Sequence, residues 1–182
     1  MLSDLQAKKL TRYFQVYDID DDGRIEVSDF ERIVENVRIL HGETSSNGHS
    51  ELSEAYMSLW NRIRSSAVGD GGDGVDLDAW LAYWQLALED DQRYELEVQA
   101  ITDRLFTIFD LDEDDAIDMS EFCDFYGVFG LAVTLAETVF ASLDADADGS
   151  ISRAELLEAS RDFFQSNDVE AAGNVLYGPY GA

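Results

Sequence analysis

Cysteine occurs once in the 182 residues, as Cys123. A disulfide framework within the chain is therefore excluded, and a reducing compartment such as the cytoplasm fits. Proline also occurs once, as Pro179 near the end of the sequence, so no earlier helix is broken by it. The two histidines, His41 and His49, fall in the polar run HGETSSNGHS (41–50) with no paired base beside them. That placement points to a solvated linker, not to catalysis. Three methionines, one of them the first residue, are too few for an adaptable Met-rich groove. No run of 18 apolar residues is present, and MLSDLQAKKL lacks an apolar stretch behind a basic one. Neither a membrane span nor a signal peptide is expected. No nucleophile-and-base set, phosphate-cradling glycine loop or basic patch stands out, so no enzyme is expected.

Basic residues are scarce as well: 12 Lys and Arg stand against 39 Asp and Glu, a net charge of −27. Such a field repels nucleic acid and anionic membrane and attracts cations. Charge of this size can also signal disorder. Here 46% hydrophobic and 12% aromatic content supplies a core for one large domain or two small ones.

The acids are not spread evenly. DADADGSISRAE (144–155) places Asp144, Asp146 and Asp148 at alternate positions, then Gly149, and ends in Glu155. Carboxylates crowded this way repel one another unless a hard cation sits among them. Calcium takes six to eight oxygens, and a twelve-residue loop supplies them from positions 1, 3, 5, 7, 9 and 12. In this loop Ser150 offers its carbonyl at position 7, Ser152 stands at position 9, and Glu155 closes the site with two oxygens. Gly149 takes the sharp turn at position 6. Ser152 and Glu155 also have capping-box spacing for the helix that follows.

The same pattern recurs in DLDEDDAIDMSE (110–121), with Asp110, Asp112, Asp114, the carbonyl of Ala116, Asp118 and Glu121. Asp115 replaces the glycine there and costs about 1 kcal/mol in a left-handed conformation, which weakens the site somewhat. A third copy is DIDDDGRIEVSD (18–29), with Asp18, Asp20, Asp22, the carbonyl of Arg24, Glu26 and Asp29. Asp29 is one methylene shorter than Glu at the closing position. A lower coordination number favours Mg²⁺ relative to Ca²⁺, so a mixed calcium and magnesium site is expected. Three matches, each followed by Phe30, Phe122 or Leu156, set the pattern well above chance. This is the EF-hand loop, and three Ca²⁺ sites are expected, with Mg²⁺ competing chiefly at the first.

EF-hands pair through the apolar residue at position 8, so an even number is expected. AVGDGGDGVDLDAW (67–80) fills the gap with Val75 at position 8. Val68 and Ala79 then take positions 1 and 12, and both end ligands are lost. Asp70, Asp73, Asp76 and Asp78 fall out of register, so this hand reads as degenerate and kept for pairing. Helix-period stretches flank each loop: SDLQAKKLTRYFQVY with a Ser3/Gln6 capping box, VSDFERIVENVRIL, ELSEAYMSLWNRI, DAWLAYWQLAL, an unbroken RYELEVQAITDRLFTIF, LAVTLAETVFASL and RAELLEASRDFF. Trp80, Tyr83 and Trp84 read as core, and Cys123 as a small buried apolar residue. The fold class is all-α: four EF-hands in two pairs. Residues 1–91 hold hand 1 and degenerate hand 2, residues 92–182 hold hands 3 and 4 and the tail, and the pairs pack as one compact globule. The tail segment NVLYGPY (174–180) carries Val175, Leu176, Tyr177 and Tyr180 and is expected to fold back onto the domain.

Intact hands 1, 3 and 4, a spoiled hand 2, a first loop ending in Asp and a tail reading GNVLYGP together resemble the sarcoplasmic calcium-binding protein and calerythrin group. The resemblance covers nearly the whole chain. It implies a compact four-EF-hand fold and a cytosolic Ca²⁺/Mg²⁺ buffer, expected to be monomeric. Coelenterazine-type photoproteins are similar in using hands 1, 3 and 4 but rely on histidines in an aromatic cavity, which the linker positions of His41 and His49 do not provide. The competing reading is a calcium sensor that exposes an apolar groove to a partner protein.

Overall fold

The computed structural model describes residues 1–41, 46–66 and 74–180. Helix α1 (Asp4–Tyr17) starts at the expected capping box. The Ser3 hydroxyl accepts the Gln6 N–H at 3.1 Å, and the Gln6 side chain accepts the Ser3 N–H at 3.0 Å. Helices α2 (Val27–His41), α3 (Ser46–Ser66) and α4 (Leu77–Leu88) complete the first half. The polar run 41–50 is therefore a shorter connection than its composition suggests. α2 continues through His41, and α3 already includes residues 46–50. The second half contains α5 (Asp91–Tyr94), α6 (Ala100–Phe109), α7 (Met119–Val128), α8 (Ala136–Leu143) and α9 (Arg153–Gln165). Among the described residues no helix is long and apolar enough to cross a membrane.

The hands pair through position 8 of each loop, as expected. Strand β1 (Ala116–Ile117) lies antiparallel to β2 (Ile151–Ser152), with Ile117 opposite Ile151. In the first half, Ile25 and Val75 exchange both backbone hydrogen bonds, at 2.9 and 2.8 Å. The degenerate hand thus keeps the register expected of it. Asp70 and Asp73 lie outside the described residues. Asp76 is the N-cap of α4, accepting the Ala79 N–H at 2.9 Å.

One apolar core runs through both halves. α1 packs on α9, α2 on α7 and α3 on α6, and the Asn36 amide donates to the Val128 carbonyl at 2.9 Å. Trp80 and Trp84 are fully buried, as read from their spacing. Cys123 is only half-buried. The region read as one helix ending at Phe109 contains a π-helical turn at Glu95–Gln99. The extra residue in that turn brings Glu97 inward, where its carboxylate accepts from Arg62 Nε at 3.1 Å and from the Tyr83 hydroxyl. Arg93 Nε lies 3.5 Å from it. A buried carboxylate is tolerated when paired and hydrogen-bonded in this way.

Four tyrosine rings occupy the centre. The Tyr13 hydroxyl donates to that of Tyr17 at 3.1 Å, and Tyr17 donates to Tyr56 at 3.3 Å. The Tyr177 ring lies 4.8 Å from that of Tyr13, tilted by 42°. Burial raises the pKa of all four above the ordinary tyrosine value. Their folded pKa exceeds the unfolded one, so their contribution is intact below pH ~10 and is lost as pH rises beyond it. Each group then forfeits about 1.4 kcal/mol per pH unit, so four forfeit roughly 5 kcal/mol. Alkaline unfolding should be steep above pH ~10, with tyrosinate absorbance from these four rising together with loss of helix. Titration of all tyrosines while the helices stay intact would contradict the buried network.

Candidate metal centres

Each acidic loop grows from the end of a helix. Asp18, Asp110 and Asp144 are the C-caps of α1, α6 and α8. Their N–H groups donate to Phe14, Phe106 and Phe140 carbonyls, each at 2.9 Å. The chain then leaves the helix, and the first carboxylate turns back over the loop. It accepts the N–H groups of positions 5 and 6: Asp18 from Asp22 and Gly23 at 3.0 and 2.9 Å, Asp110 from Asp114 and Asp115 at 3.0 and 3.2 Å, and Asp144 from Asp148 and Gly149 at 3.1 and 3.0 Å. The position-5 carboxylates of Asp22, Asp114 and Asp148 accept the N–H of Arg24, Ala116 and Ser150 at 2.8–3.0 Å. Position 6 is left-handed in all three, with φ of +83° at Gly23, +65° at Asp115 and +93° at Gly149.

The closing carboxylate reaches across to positions 2 and 9. Glu121 accepts from Leu111 and Asp118 at 2.7 and 2.9 Å, and Glu155 from Ala145 and Ser152 at 2.8 Å each. Asp29 makes the same two contacts, but the one from Ile19 stretches to 3.3 Å while that from Glu26 is 2.7 Å. Asp118 and Ser152 at position 9 also cap α7 and α9 through their side chains.

Among the described residues, three carboxylate groups place one oxygen each within 4.8 Å of one another: Asp18, Asp20 and Asp22; Asp110, Asp112 and Glu121; and Asp144, Asp146 and Glu155. The two Glu-closed loops bring their closing residue into the group, and the Asp-closed loop leaves Asp29 out. Asp29 is nearly fully buried, and that burial raises its pKa against the N–H bonds from Glu26 and Ile19. For Glu155, burial also pushes upward, but the hydrogen bonds from Ser152 and Ala145 outweigh it and the net shift is downward. A feature that the sequence does not announce is a left-handed residue at position 4 of each loop: Asp21, Glu113 and Ala147, at φ of +56° to +59°. Three different residue types share that conformation, so no residue pattern marks it.

This geometry is that of EF-hand loops. A family model described as "EF hand" matches residues 11–34 and 135–159, the first and last hands. Over its whole length the chain is similar to sarcoplasmic calcium-binding proteins and calerythrin. The sarcoplasmic calcium-binding protein of Hediste diversicolor is 28% identical over 177 residues, covering 97% of this chain and 99% of that one. Calerythrin of Saccharopolyspora erythraea is 24% identical over 177 residues, covering 95% and 100%. The sarcoplasmic calcium-binding protein of amphioxus superposes with a TM-score of 0.76 at 21% identity, over 98% of this chain and 99% of that one, and shares the fold.

Proposed function

We propose that this protein is an intracellular calcium buffer with three EF-hand sites, at 18–29, 110–121 and 144–155, and with magnesium as a competitor at the first. The observation that carries the reading is the convergence of three carboxylate groups on loops sharing one hydrogen-bond scaffold. The names of the relatives point to calcium as the ion. The ligands would be Asp18, Asp20, Asp22, Asp29 and the Arg24 carbonyl, with Glu26 at position 9. In the third hand they would be Asp110, Asp112, Asp114, Glu121 and the Ala116 carbonyl, with Asp118. In the fourth they would be Asp144, Asp146, Asp148, Glu155 and the Ser150 carbonyl, with Ser152. Asp118 and Ser152, engaged as helix caps, would reach the ion through water. The stretched Asp29 contact supports fewer metal–oxygen bonds at the first site, a count that suits Mg²⁺.

Buffer is favoured over sensor because Leu176 and Tyr177 of the tail are buried in the core, covering surface that a sensor would offer to a target. The two EF-hand pairs, 1–91 and 92–182, are read as one monomeric globule. Calorimetric titration should count three calcium ions per chain in the wild type and two in Glu155→Gln. Asp29→Glu should reduce magnesium competition at one site by about tenfold, the equivalent of ~1.4 kcal/mol. Adding calcium at constant magnesium should leave the fluorescence of an apolar dye almost unchanged. Four ions, or no site lost in Glu155→Gln, would overturn the site assignment, and a large dye response would make the protein a sensor.

A further inference from the structure

A cleft of about 460 Å³, lined by no residue of the three loops, lies between α1 and the α7–α8 connection. Its volume falls in the range of small-molecule sites, roughly 300–1,000 Å³. One wall is α1, which presents Lys8, Arg12 and Gln15. The opposite wall is apolar, with Leu131, Ala132 and Leu135, and Pro179 of the tail closes one side.

The charge of this cleft runs against that of the molecule. Acids outnumber bases 39 to 12, yet two cations and no carboxylate line it. Among the described residues, neither Lys8 nor Arg12 is ion-paired. Lys8 is exposed and Arg12 half-buried. Arg12 is fixed in place: its Nε donates to the Tyr177 carbonyl at 2.9 Å. Gly178, at φ +84°, bends the tail directly over Nη2, which lies 3.4 Å from where a Cβ would stand. The guanidinium is thus held in the cleft wall, and Lys8 sits one helical turn away on the same face. A guanidinium held in this way suits a carboxylate.

We propose that the cleft binds a small amphipathic carboxylate of the medium-chain fatty acid class. The carboxylate would lie against Lys8 and Arg12, and the hydrocarbon against Leu131, Ala132 and Leu135. The net charge of −27 does not forbid this. At physiological ionic strength charges beyond about 8 Å are largely screened, so the lining groups dominate.

The test is titration calorimetry on the full chain, loaded with stoichiometric calcium and no excess so that no calcium soap forms. The probes are octanoate, octanol and acetate. One octanoate should bind per chain, and octanol and acetate should each bind about tenfold more weakly or worse. Ala132→Glu, at an exposed position, should abolish octanoate binding, and Lys8→Gln should weaken it severalfold, both with the melting temperature unchanged. Arg12→Gln should weaken it further, though that residue also holds the tail. Absence of an octanoate signal, octanol binding as tightly as octanoate, or wild-type affinity in Ala132→Glu would each overturn the proposal.

Discussion

Removing divalent ions with a chelator should lower the melting temperature of this protein by roughly 15–30 °C. Each site held at about 100 times its Kd stabilises the folded state by ~2.7 kcal/mol, so three sites contribute about 8 kcal/mol. That is comparable with the whole stability of an ordinary domain, about 5–15 kcal/mol. For a chain of this length each kcal/mol moves the midpoint by roughly 2–4 °C. The electrostatics of the loops act in the same direction. Without the ion, Asp144, Asp146 and Glu155 keep oxygens within 4.8 Å of one another, and only the loop hydrogen bonds that they accept work against their repulsion. Sodium chloride should therefore restore part of the loss, because the screening length shrinks from about 10 Å at 0.1 M to 3 Å at 1 M. Glu155→Gln, measured in calcium, should lose about one site's share. Differential scanning calorimetry decides the matter, and an ion-free form as stable as the loaded one would contradict the reading.

What the sequence makes legible follows from how local each constraint is. The loops are local: a carboxylate at position 1 that must cap a helix and gather two N–H groups leaves its mark within twelve residues. Loop positions and the Ile25–Val75 and Ile117–Ile151 registers could therefore be read from spacing alone, even in a hand that has lost its end ligands. The π-turn at Glu95–Gln99 is a different case. It depends on Arg62 and Tyr83 from α3 and α4 meeting Glu97, and a window that sees only RYELEVQAITDRLFTIF finds an uninterrupted helical period. Lys9 is similar. It is one of two adjacent lysines on α1, yet it is fully buried. Its ammonium donates to the carbonyls of Asp162 and Ser166 at 2.7 and 2.9 Å and to Asn174 Oδ1 at 2.8 Å. Its partners lie more than 150 residues away in the chain, and no pattern in α1 announces them. Asp29 stands between these cases. Its shortness is visible in the sequence, but its near-complete burial and its displacement from the carboxylate group are not.

The tail gives the second large effect. Truncation after Asn174 should lower the melting temperature of the calcium-loaded protein by about 10–20 °C and raise the binding of an apolar dye. Two buried side chains are lost, Leu176 and Tyr177, each worth ~1.5–3 kcal/mol. The Tyr177 ring lies 5.0 Å from Phe163 and 6.2 Å from Phe125, so its removal leaves a hole between α7 and α9. The Arg12 guanidinium and the Tyr126 hydroxyl also lose the carbonyls of Tyr177 and Leu176. A point substitution separates fit from mere presence. At Gly173 an added Cβ would overlap the Ala159 carbonyl on α9, so Gly173→Ala keeps every apolar tail residue while forcing the 3-10 turn at Ala172–Val175 away from the helix. Overpacking of this kind costs about 1–3 kcal/mol, and dye binding should rise with it. Lys9→Met should act in the same direction by leaving three oxygens without their donor and Asn174 without its anchor. If truncation and Gly173→Ala both leave the melting temperature and dye binding unchanged, the tail does not seal the core. The surface beneath it would then be available to a target, and the sensor reading would replace the buffer.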